Sequence, residues 1–109
     1  MSIITINMQE PYRSLVINGK KTVEGRLNKG KFASIKTGDI LMLEQEKIQF
    51  EVIKKSIYLN FKTMIEKEGL SNVLPDKNNI KEATNVYYEF YTKEQEKEYG
   101  VLAIKIKRK

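Results

Sequence analysis

Residues 40–53 have the sequence ILMLEQEKIQFEVI, and this stretch decides the fold class of the chain. Its first four residues are apolar, as in a buried strand. Residues 44–47 are polar and suit a hairpin connection. From Ile48 onward, apolar and polar residues alternate toward Tyr58, which is typical of a long strand with one buried face. The stretch therefore predicts a pair of antiparallel strands.

Two further strands are predicted at the ends of the chain. Residues 2–8, SIITINM, are apolar and rich in β-branched side chains, which favour strands. Residues 101–107, VLAIKIK, alternate so that Leu102, Ile104 and Ile106 point inward while Lys105 and Lys107 point outward. Strands at both ends of the chain and hairpins in its middle favour one shared sheet.

Helices are predicted on both sides of the central hairpin. The first begins at Pro11, which suits a first helical turn, and ends at Gly19, which suits a C-terminal cap. The second is capped by Asn60, and the third by Asn79 with Glu82 three residues later. Residues 92–95, TKEQ, predict a break and restart. The apolar face of the third helix includes Ala83, Val86, Tyr87, Phe90 and Tyr91.

Residues 22–27 predict a strand with Thr22, Glu24 and Arg26 on one face. Residues 28–31 suit a turn, and a further short strand fits before the turn at 37–39. The full order predicts an α+β fold, a small, mainly antiparallel β-barrel flanked by short helices. With 109 residues, the chain is expected to form one domain over residues 1–109.

The composition excludes several kinds of chemistry. Cysteine and histidine are both absent, so the chain has no thiol nucleophile, no thiolate metal site and no histidine base. We expect neither a metal nor a cofactor. No apolar run has the length of a membrane span, and the N-terminus lacks a signal-peptide pattern. These features predict a cytoplasmic protein without a membrane partner.

The net charge of +6 arises from one segment. Residues 13–36 carry seven basic residues and one acidic residue, whereas the remaining residues carry thirteen of each. A local basic patch is typical of a face that binds polyanions, and a solvated lysine-rich surface is the alternative. Within this segment, residues 17–26, INGKKTVEGR, concentrate ammonium, hydroxyl, carboxylate and guanidinium groups.

The pattern Gly19-x-Lys21-x-x-Glu24-x-Arg26, followed by residues 37–39, TGD, and a hydrophobic strand, resembles the signature of the ASCH domain. The resemblance extends over residues 9–12, QEPY, 68–75, EGLSNVLP, and 97–104, KEYGVLAI, and so covers nearly the whole chain. That family has a β-barrel fold related to the PUA domains of RNA-modifying proteins. The resemblance therefore implies a PUA-like fold that binds RNA or a modified nucleoside.

One branch of the ASCH family hydrolyses the acetyl group of N4-acetylcytidine with a lysine, a threonine and a glutamate. The resemblance places the lysine on Lys21 and the glutamate on Glu68. The threonine falls on Glu24, whose carboxylate cannot replace a hydroxyl nucleophile in the same way. Thr22 faces the same side of the predicted strand, but its use would require the substrate to shift by about 7 Å.

Several roles for these residues stay open from the sequence. Glu24 could act as a general base while Lys21 stabilises an oxyanion, which would give a metal-independent amidohydrolase. Alternatively, Lys20, Lys21 and Arg26 bind phosphate while Glu24 accepts from an amino or ribose group. The charges could also form an ion-pair ladder on an exposed strand, and the domain could be a non-catalytic regulator that binds a protein or small anion.

The aromatic residues have two interpretations as well. Tyr12 could stack on a base or belong to the core. Helical spacing favours core packing over a stacking platform for Tyr87, Tyr88, Phe90 and Tyr91.

Overall fold

The computed structural model of the chain describes all residues from Met1 to Lys109. Five strands and six helices alternate irregularly along the sequence, as an α+β fold requires. In chain order they are β1 (Ile3–Ile6), α1 (Tyr12–Ile17), β2 (Val23–Leu27), α2 (Gly30–Ala33), β3 (Ile40–Leu43), β4 (Gln49–Tyr58), α3 (Phe61–Glu68), α4 (Leu70–Val73), α5 (Ile80–Tyr87), α6 (Lys93–Tyr99) and β5 (Val101–Arg108).

The strands form one sheet in the order β1-β3-β4-β5-β2. The predicted hairpin of β3 and β4 is confirmed, with Leu41 opposite Phe50. β5 pairs antiparallel with both β4 and β2, while β1 pairs parallel with β3. The sheet is open, because β1 and β2 are its two edges and do not pair with each other. The expectation of a barrel is thus corrected to an open, mostly antiparallel sheet.

Both faces of the sheet are covered around the first half of β5, which explains why its first four residues are all apolar and buried. Leu102, Ile104 and Ile106 point into one core cluster, which also contains Val16 of α1 and Phe50 of β4. Val101 and Ala103 alternate with them and point into a second cluster, which is formed mainly with α3 and α5. The inward face predicted for β5 is confirmed, and its other face is buried in its first half.

Side-chain caps fix where three of the helices begin. Asn60 accepts a hydrogen bond from the N–H of Thr63 at the start of α3, as the sequence predicts. Asn79 accepts from the N–H of Glu82 at the start of α5. Thr92 and Gln95 form a complete capping box that starts α6, so the predicted break and restart is confirmed.

Two details of the predicted order are wrong. No strand lies between β2 and β3; residues 30–33 instead form α2, after Lys29 in an extended conformation. The third predicted helix ends at Tyr87 rather than continuing through Tyr91. The N–H groups of Phe90 and Tyr91 both donate to the carbonyl of Tyr87, so the chain turns before α6.

None of the helices combines the length and the apolar character needed to cross a lipid bilayer. Nor does the structure contain a group of three or more Asp or Glu side chains that could hold a metal ion.

Candidate ligand-binding cleft

The loop between α1 and β2 directs Lys21 into the protein. Gly19 follows α1 with a φ of +82°, a conformation that favours glycine, and its N–H donates to the carbonyl of Val16. Directly before β2, the N–H of Thr22 donates to the carbonyl of Asn72 in α4 over 3.0 Å. The loop is therefore held between two helices, and its second lysine turns inward.

Lys21 is a buried cation whose hydrogen bonds are all made inside the protein. Its Nζ donates to the carbonyl oxygens of Val23, over 2.6 Å, and Val73, and it lies 3.4 Å from Glu24 Oε1. Only 1% of its side chain is exposed. Burial lowers the pKa of Lys21 because it disfavours the charged form, and the nearby Glu24 opposes this effect. Two of its three N–H donors are used by backbone carbonyls and the ammonium group also faces Glu24, so its charge is satisfied within the protein.

Glu24 joins the buried lysine to Arg26. Its Oε2 accepts from Arg26 Nε over 2.8 Å and lies 2.8 Å from Arg26 Nη2. Burial alone would raise the pKa of Glu24, but the charges of Arg26 and Lys21 outweigh it and hold the pKa below its usual value. Glu24 is therefore ionised at neutral pH. A carboxylate has about four acceptor positions, and the contacts of Glu24 with Lys21 and Arg26 number three.

Arg26 connects the two open edges of the sheet. Its Nη2 donates to the carbonyl of Asn7, just after β1, over 2.8 Å, although Arg26 itself lies on β2. Its guanidinium carbon lies 4.6 Å from the centre of the Phe32 ring. Burial disfavours the charge, but Glu24 reverses this and raises the pKa of Arg26. Nη1 makes none of these hydrogen bonds, and the guanidinium also lies close to Tyr91, where it opposes the rise that burial causes in the pKa of the tyrosine.

A cleft of about 470 Å³ opens above these charges, where the sheet does not close. This volume falls within the range of small-molecule sites. One wall comes from the residues that follow β1, the floor from β2 and the loop before it, and the other wall from α5 and the turn after it. The lining residues are Asn7, Met8, Gln9, Tyr12, Lys21, Glu24, Gly25, Arg26, Leu74, Val86, Tyr87, Phe90 and Tyr91.

Of the aromatic residues at the end of α5 and in the turn after it, some pack in the core and others line the cleft. Phe61 stacks on Tyr87 with ring centres 4.3 Å apart and an angle of 5°, and on Tyr91 at 5.6 Å and 11°. Tyr87 is buried, whereas Phe90 is 50% exposed and lines the cleft. The hydroxyl of Tyr88 donates to Glu96 outside the cleft. Core packing thus holds Tyr87, and the cleft wall is formed by Phe90 and the half-buried Tyr91.

Four of the residues predicted from the sequence meet in the cleft: Tyr12, Lys21, Glu24 and Arg26. Tyr12 lines the cleft and also packs against a core cluster. Its ring packs against a core cluster and lies 6.0 Å from Lys21 Nζ, while its hydroxyl lies 3.5 Å from Asp76. The ion pairs are buried, so they do not form the ladder on an exposed strand that the sequence left open.

The other three predicted residues lie elsewhere. Lys20 is exposed beside the cleft loop, and Thr22 is half-buried, but neither lines the cleft. Glu68, at the end of α3, accepts a hydrogen bond from the hydroxyl of Tyr58 and is also absent from the cleft lining. The convergence of Lys21, Glu24 and Glu68 on one concave site is therefore not found.

The basic segment is only partly available to a polyanion. Lys21 and Arg26 share one carboxylate inside the protein, and Arg13 pairs with Glu10 and Glu46. These pairs remove three of the seven basic residues from a free cationic surface. The remaining four are exposed lysines, at positions 20, 29, 31 and 36.

Sequence reasoning missed the wall that follows β1 and the role of Gly25. Asn7, Met8 and Gln9 lie at the end of a strand, and their position opposite β2 depends on strand order, which no local pattern encodes. Gly25 did carry a signal, because glycine is unfavourable inside a strand and often marks a close approach. A Cβ built at Gly25 would lie 2.7 Å from the Tyr87 hydroxyl.

The cleft combines aromatic walls with a polar floor of fixed charge. Glu24 offers an ionised acceptor, and Arg26 Nη1 offers a donor beside it. Phe90 and Tyr91 provide flat apolar surfaces on one side. Such a site suits a flat ligand that presents hydrogen-bonding groups along one edge.

Comparison with known proteins relates this architecture to a family and to two solved structures. The family model of the ASCH domain matches residues 6–109. The crystal structure of the hypothetical protein PH0355 is 44% identical, with a TM-score of 0.93 and coverage of 100% of both chains. The solution NMR structure of the protein PF0455 from Pyrococcus furiosus is 42% identical, with a TM-score of 0.83 and coverage of 97% of this chain and 96% of that one. A search of curated proteins finds no match.

Proposed function

Because this chain belongs to the ASCH domain family, we propose that its cleft binds a nucleoside, free or within RNA, through the base. The observation that supports this proposal most directly is the buried group of Lys21, Glu24 and Arg26 on the floor of a cleft with aromatic walls. Proteins recognise single-stranded RNA and its nucleosides by stacking bases on aromatic rings and bonding their polar edges. The cleft supplies both elements in one place.

The floor favours a base with an exocyclic amino group. Glu24 is ionised and accepts hydrogen bonds only, so it suits an amino group such as that of cytosine and opposes a carbonyl at the same position. Arg26 Nη1 is the donor beside it and suits a carbonyl or phosphate oxygen. Lys21 does not contact the ligand directly in this arrangement; it holds Glu24 in place and keeps it charged.

Calorimetric titration with cytidine, N4-acetylcytidine and uridine tests this proposal. We expect cytidine or its acetyl derivative to bind and uridine to bind more weakly. Phe90→Ala should weaken binding by about 5-fold or more, because one stacked base contributes about 1–3 kcal/mol. Leu59→Ala, which removes an exposed apolar side chain outside the cleft, is the matched control. Equal losses in both variants, or no binding to the parent protein, would contradict the proposal.

A second candidate function is hydrolysis of an N-acyl pyrimidine nucleoside, and the pairing of Glu24 with the guanidinium of Arg26 favours it. Water would attack the acyl carbon while Glu24 accepts its proton, and Arg26 Nη1 would stabilise the oxyanion. The C–N bond then breaks, the amine nitrogen takes the proton, and cytidine and acetate form from N4-acetylcytidine. Lys21 is not assigned as the oxyanion donor here, because its buried Nζ already donates to the carbonyls of Val23 and Val73 and pairs with Glu24.

Chromatography of N4-acetylcytidine after incubation with the protein distinguishes hydrolysis from binding. Hydrolysis would be supported if the parent protein forms cytidine and Arg26→Lys forms less of it. A lysine cannot reproduce the several hydrogen-bond donors of the guanidinium group. Binding without any product would assign the cleft to recognition alone.

A further inference from the structure

A second cavity, of about 410 Å³, adjoins the cleft near α2. We call it the side cavity. It shares Asn7 and Arg26 with the cleft, and its other lining residues are Thr5, Ile6, Lys31, Phe32 and Glu44. The cleft has aromatic walls, whereas the side cavity is lined mainly by polar residues. A ligand whose flat part lies in the cleft can therefore extend a polar group into the side cavity.

The Phe32 ring of the side cavity contacts two cations. The guanidinium carbon of Arg26 lies 4.6 Å from the ring centre, and Lys31 Nζ lies 5.5 Å from the same point. Lys31 Nζ also donates to the carbonyl of Thr5 over 2.6 Å, which holds the side chain against β1. This is the one hydrogen bond that the ammonium group makes within the protein, so it has further donors for a ligand.

The charge of Lys31 is not neutralised within the protein, because Lys31 forms no ion pair. Glu44 is the only acidic residue of the side cavity, and it pairs with neither Lys31 nor Arg26. Lys31 is exposed to solvent, so an anion can reach it. The other exposed lysines of the basic segment line neither cavity; they are at positions 20, 29 and 36. Lys31 is therefore the exposed lysine of that segment that a ligand in the cleft can reach.

A phosphate group suits the side cavity because of these cations. Phosphate oxygens accept charge-assisted hydrogen bonds from ammonium and guanidinium groups, and such bonds are stronger than those between neutral groups. In a nucleotide, one ribose joins the base to the phosphate, so a base site and its phosphate site must adjoin each other. The cleft and the side cavity meet this condition at Arg26. The carboxylate of Glu44 is an acceptor that suits a ribose hydroxyl.

We propose that the side cavity binds the phosphate of a nucleotide whose base occupies the cleft. Lys31 contacts a phosphate oxygen directly, and Arg26 adds positive charge beside it. The preferred ligand is then a cytidine nucleotide, alone or within an RNA strand, rather than the free nucleoside. This inference rests on the proposed nucleoside binding and names the form of the ligand.

Calorimetric titration with cytidine, its 5′- and 3′-monophosphates and a short single-stranded RNA that contains one cytidine tests the inference. We expect at least one phosphorylated ligand to bind about tenfold more tightly than cytidine, because charged groups strengthen its hydrogen bonds. Lys31→Ala should remove this gain, so that phosphorylated and free cytidine bind equally well. Lys36→Ala removes an equal charge from the same segment outside both cavities and should keep the gain. Glu44→Gln should keep or increase it, because it removes a negative charge from the side cavity.

The four ligands also identify the source of the phosphate. A gain with a monophosphate assigns the side cavity to the nucleotide's own phosphate, whereas a gain with RNA alone assigns it to the adjoining nucleotide of a strand. Equal affinity for all four ligands would overturn the inference, although nucleoside binding itself would stand. So would an equal loss of the gain in Lys31→Ala and Lys36→Ala, because the gain would then reflect only the general charge of the surface. Should the parent protein bind none of the ligands, the proposed function fails and the inference fails with it.

Discussion

Replacing Glu24 with glutamine removes the only anion from a buried group of three charges. The change keeps the shape of the side chain but leaves Lys21 and Arg26 without a counter-charge. The glutamine amide also carries an NH₂ donor, whereas its neighbours Lys21 and Arg26 can only donate hydrogen bonds. We therefore expect Glu24→Gln to destabilise the fold as well as to impair ligand binding.

The distances give the scale of this effect. With an effective dielectric constant of about 20, a unit charge pair at 3.4 Å contributes about 5 kcal/mol and one at 2.8 Å about 6 kcal/mol before desolvation is subtracted. Desolvation of the three ions offsets much of this gain. Removal of one partner from a buried ion pair costs about 3–5 kcal/mol, because the remaining charge stays buried. We expect a loss in that range for Glu24→Gln.

Urea unfolding followed by circular dichroism measures the loss. Glu51→Gln, an exposed carboxylate on β4, is the control and should change the free energy of unfolding by less than about 0.5 kcal/mol. Because Lys21 and Glu24 are in direct contact, the variant Lys21→Met/Glu24→Gln should lose less stability than the two single variants together. A loss below about 1 kcal/mol for Glu24→Gln, or strict additivity, would refute this account of the buried charges.

Two further predictions concern Tyr87, the last residue of α5, and Tyr88, which follows it. Gly25→Ala should lose about 1–3 kcal/mol in urea unfolding because its Cβ overlaps the Tyr87 hydroxyl, and the loss should shrink in a Tyr87→Phe background; equal losses in both would contradict the overlap. Burial and the hydrogen bond to Glu96 raise the pKa of Tyr88 to about 12. Its stabilising contribution is therefore present below pH 10 and lost as the pH rises through about 12. Tyrosinate absorbance should show a component that titrates near pH 12 and is lost in Tyr88→Phe, beside the other tyrosines whose pKa values are raised; an unchanged titration would contradict the assignment.

The sequence predicted the parts of the fold that depend on neighbouring residues. The hairpin of β3 and β4 follows from alternation over a few residues. The starts of α3, α5 and α6 follow from Asn60, Asn79 and Thr92, whose side chains cap N–H groups three residues later. Gly19 marks the end of α1 for the same local reason, a positive φ. Each of these signals lies close in the sequence to the feature that it determines.

Features that depend on residues far apart in the sequence could not be predicted from such local signals. Residues 17–26 were predicted to concentrate the polar chemistry, but burial of Lys21 depends on the Val73 carbonyl, which lies 52 residues away. The barrel was expected from the strands at both ends of the chain, the hairpins in its middle and the family resemblance. The sheet instead stays open between β1 and β2, and the Arg26 side chain on β2 reaches the Asn7 carbonyl just after β1. Only the family resemblance placed Glu68 in the same site as Lys21. In the structure, the carboxylate of Glu68 accepts a hydrogen bond from the hydroxyl of Tyr58.

Titration of the ¹⁵N-labelled protein with cytidine, followed in two-dimensional NMR spectra, tests the central claim that the cleft binds a nucleoside. The account predicts shifts of the amide signals of Gly25, Arg26 and Tyr91, which line the cleft, and a saturable dependence on concentration. Leu59 and Lys36, which lie outside it, should not shift. Unchanged cleft signals at saturating cytidine, or shifts confined to the exposed lysines, would contradict the account.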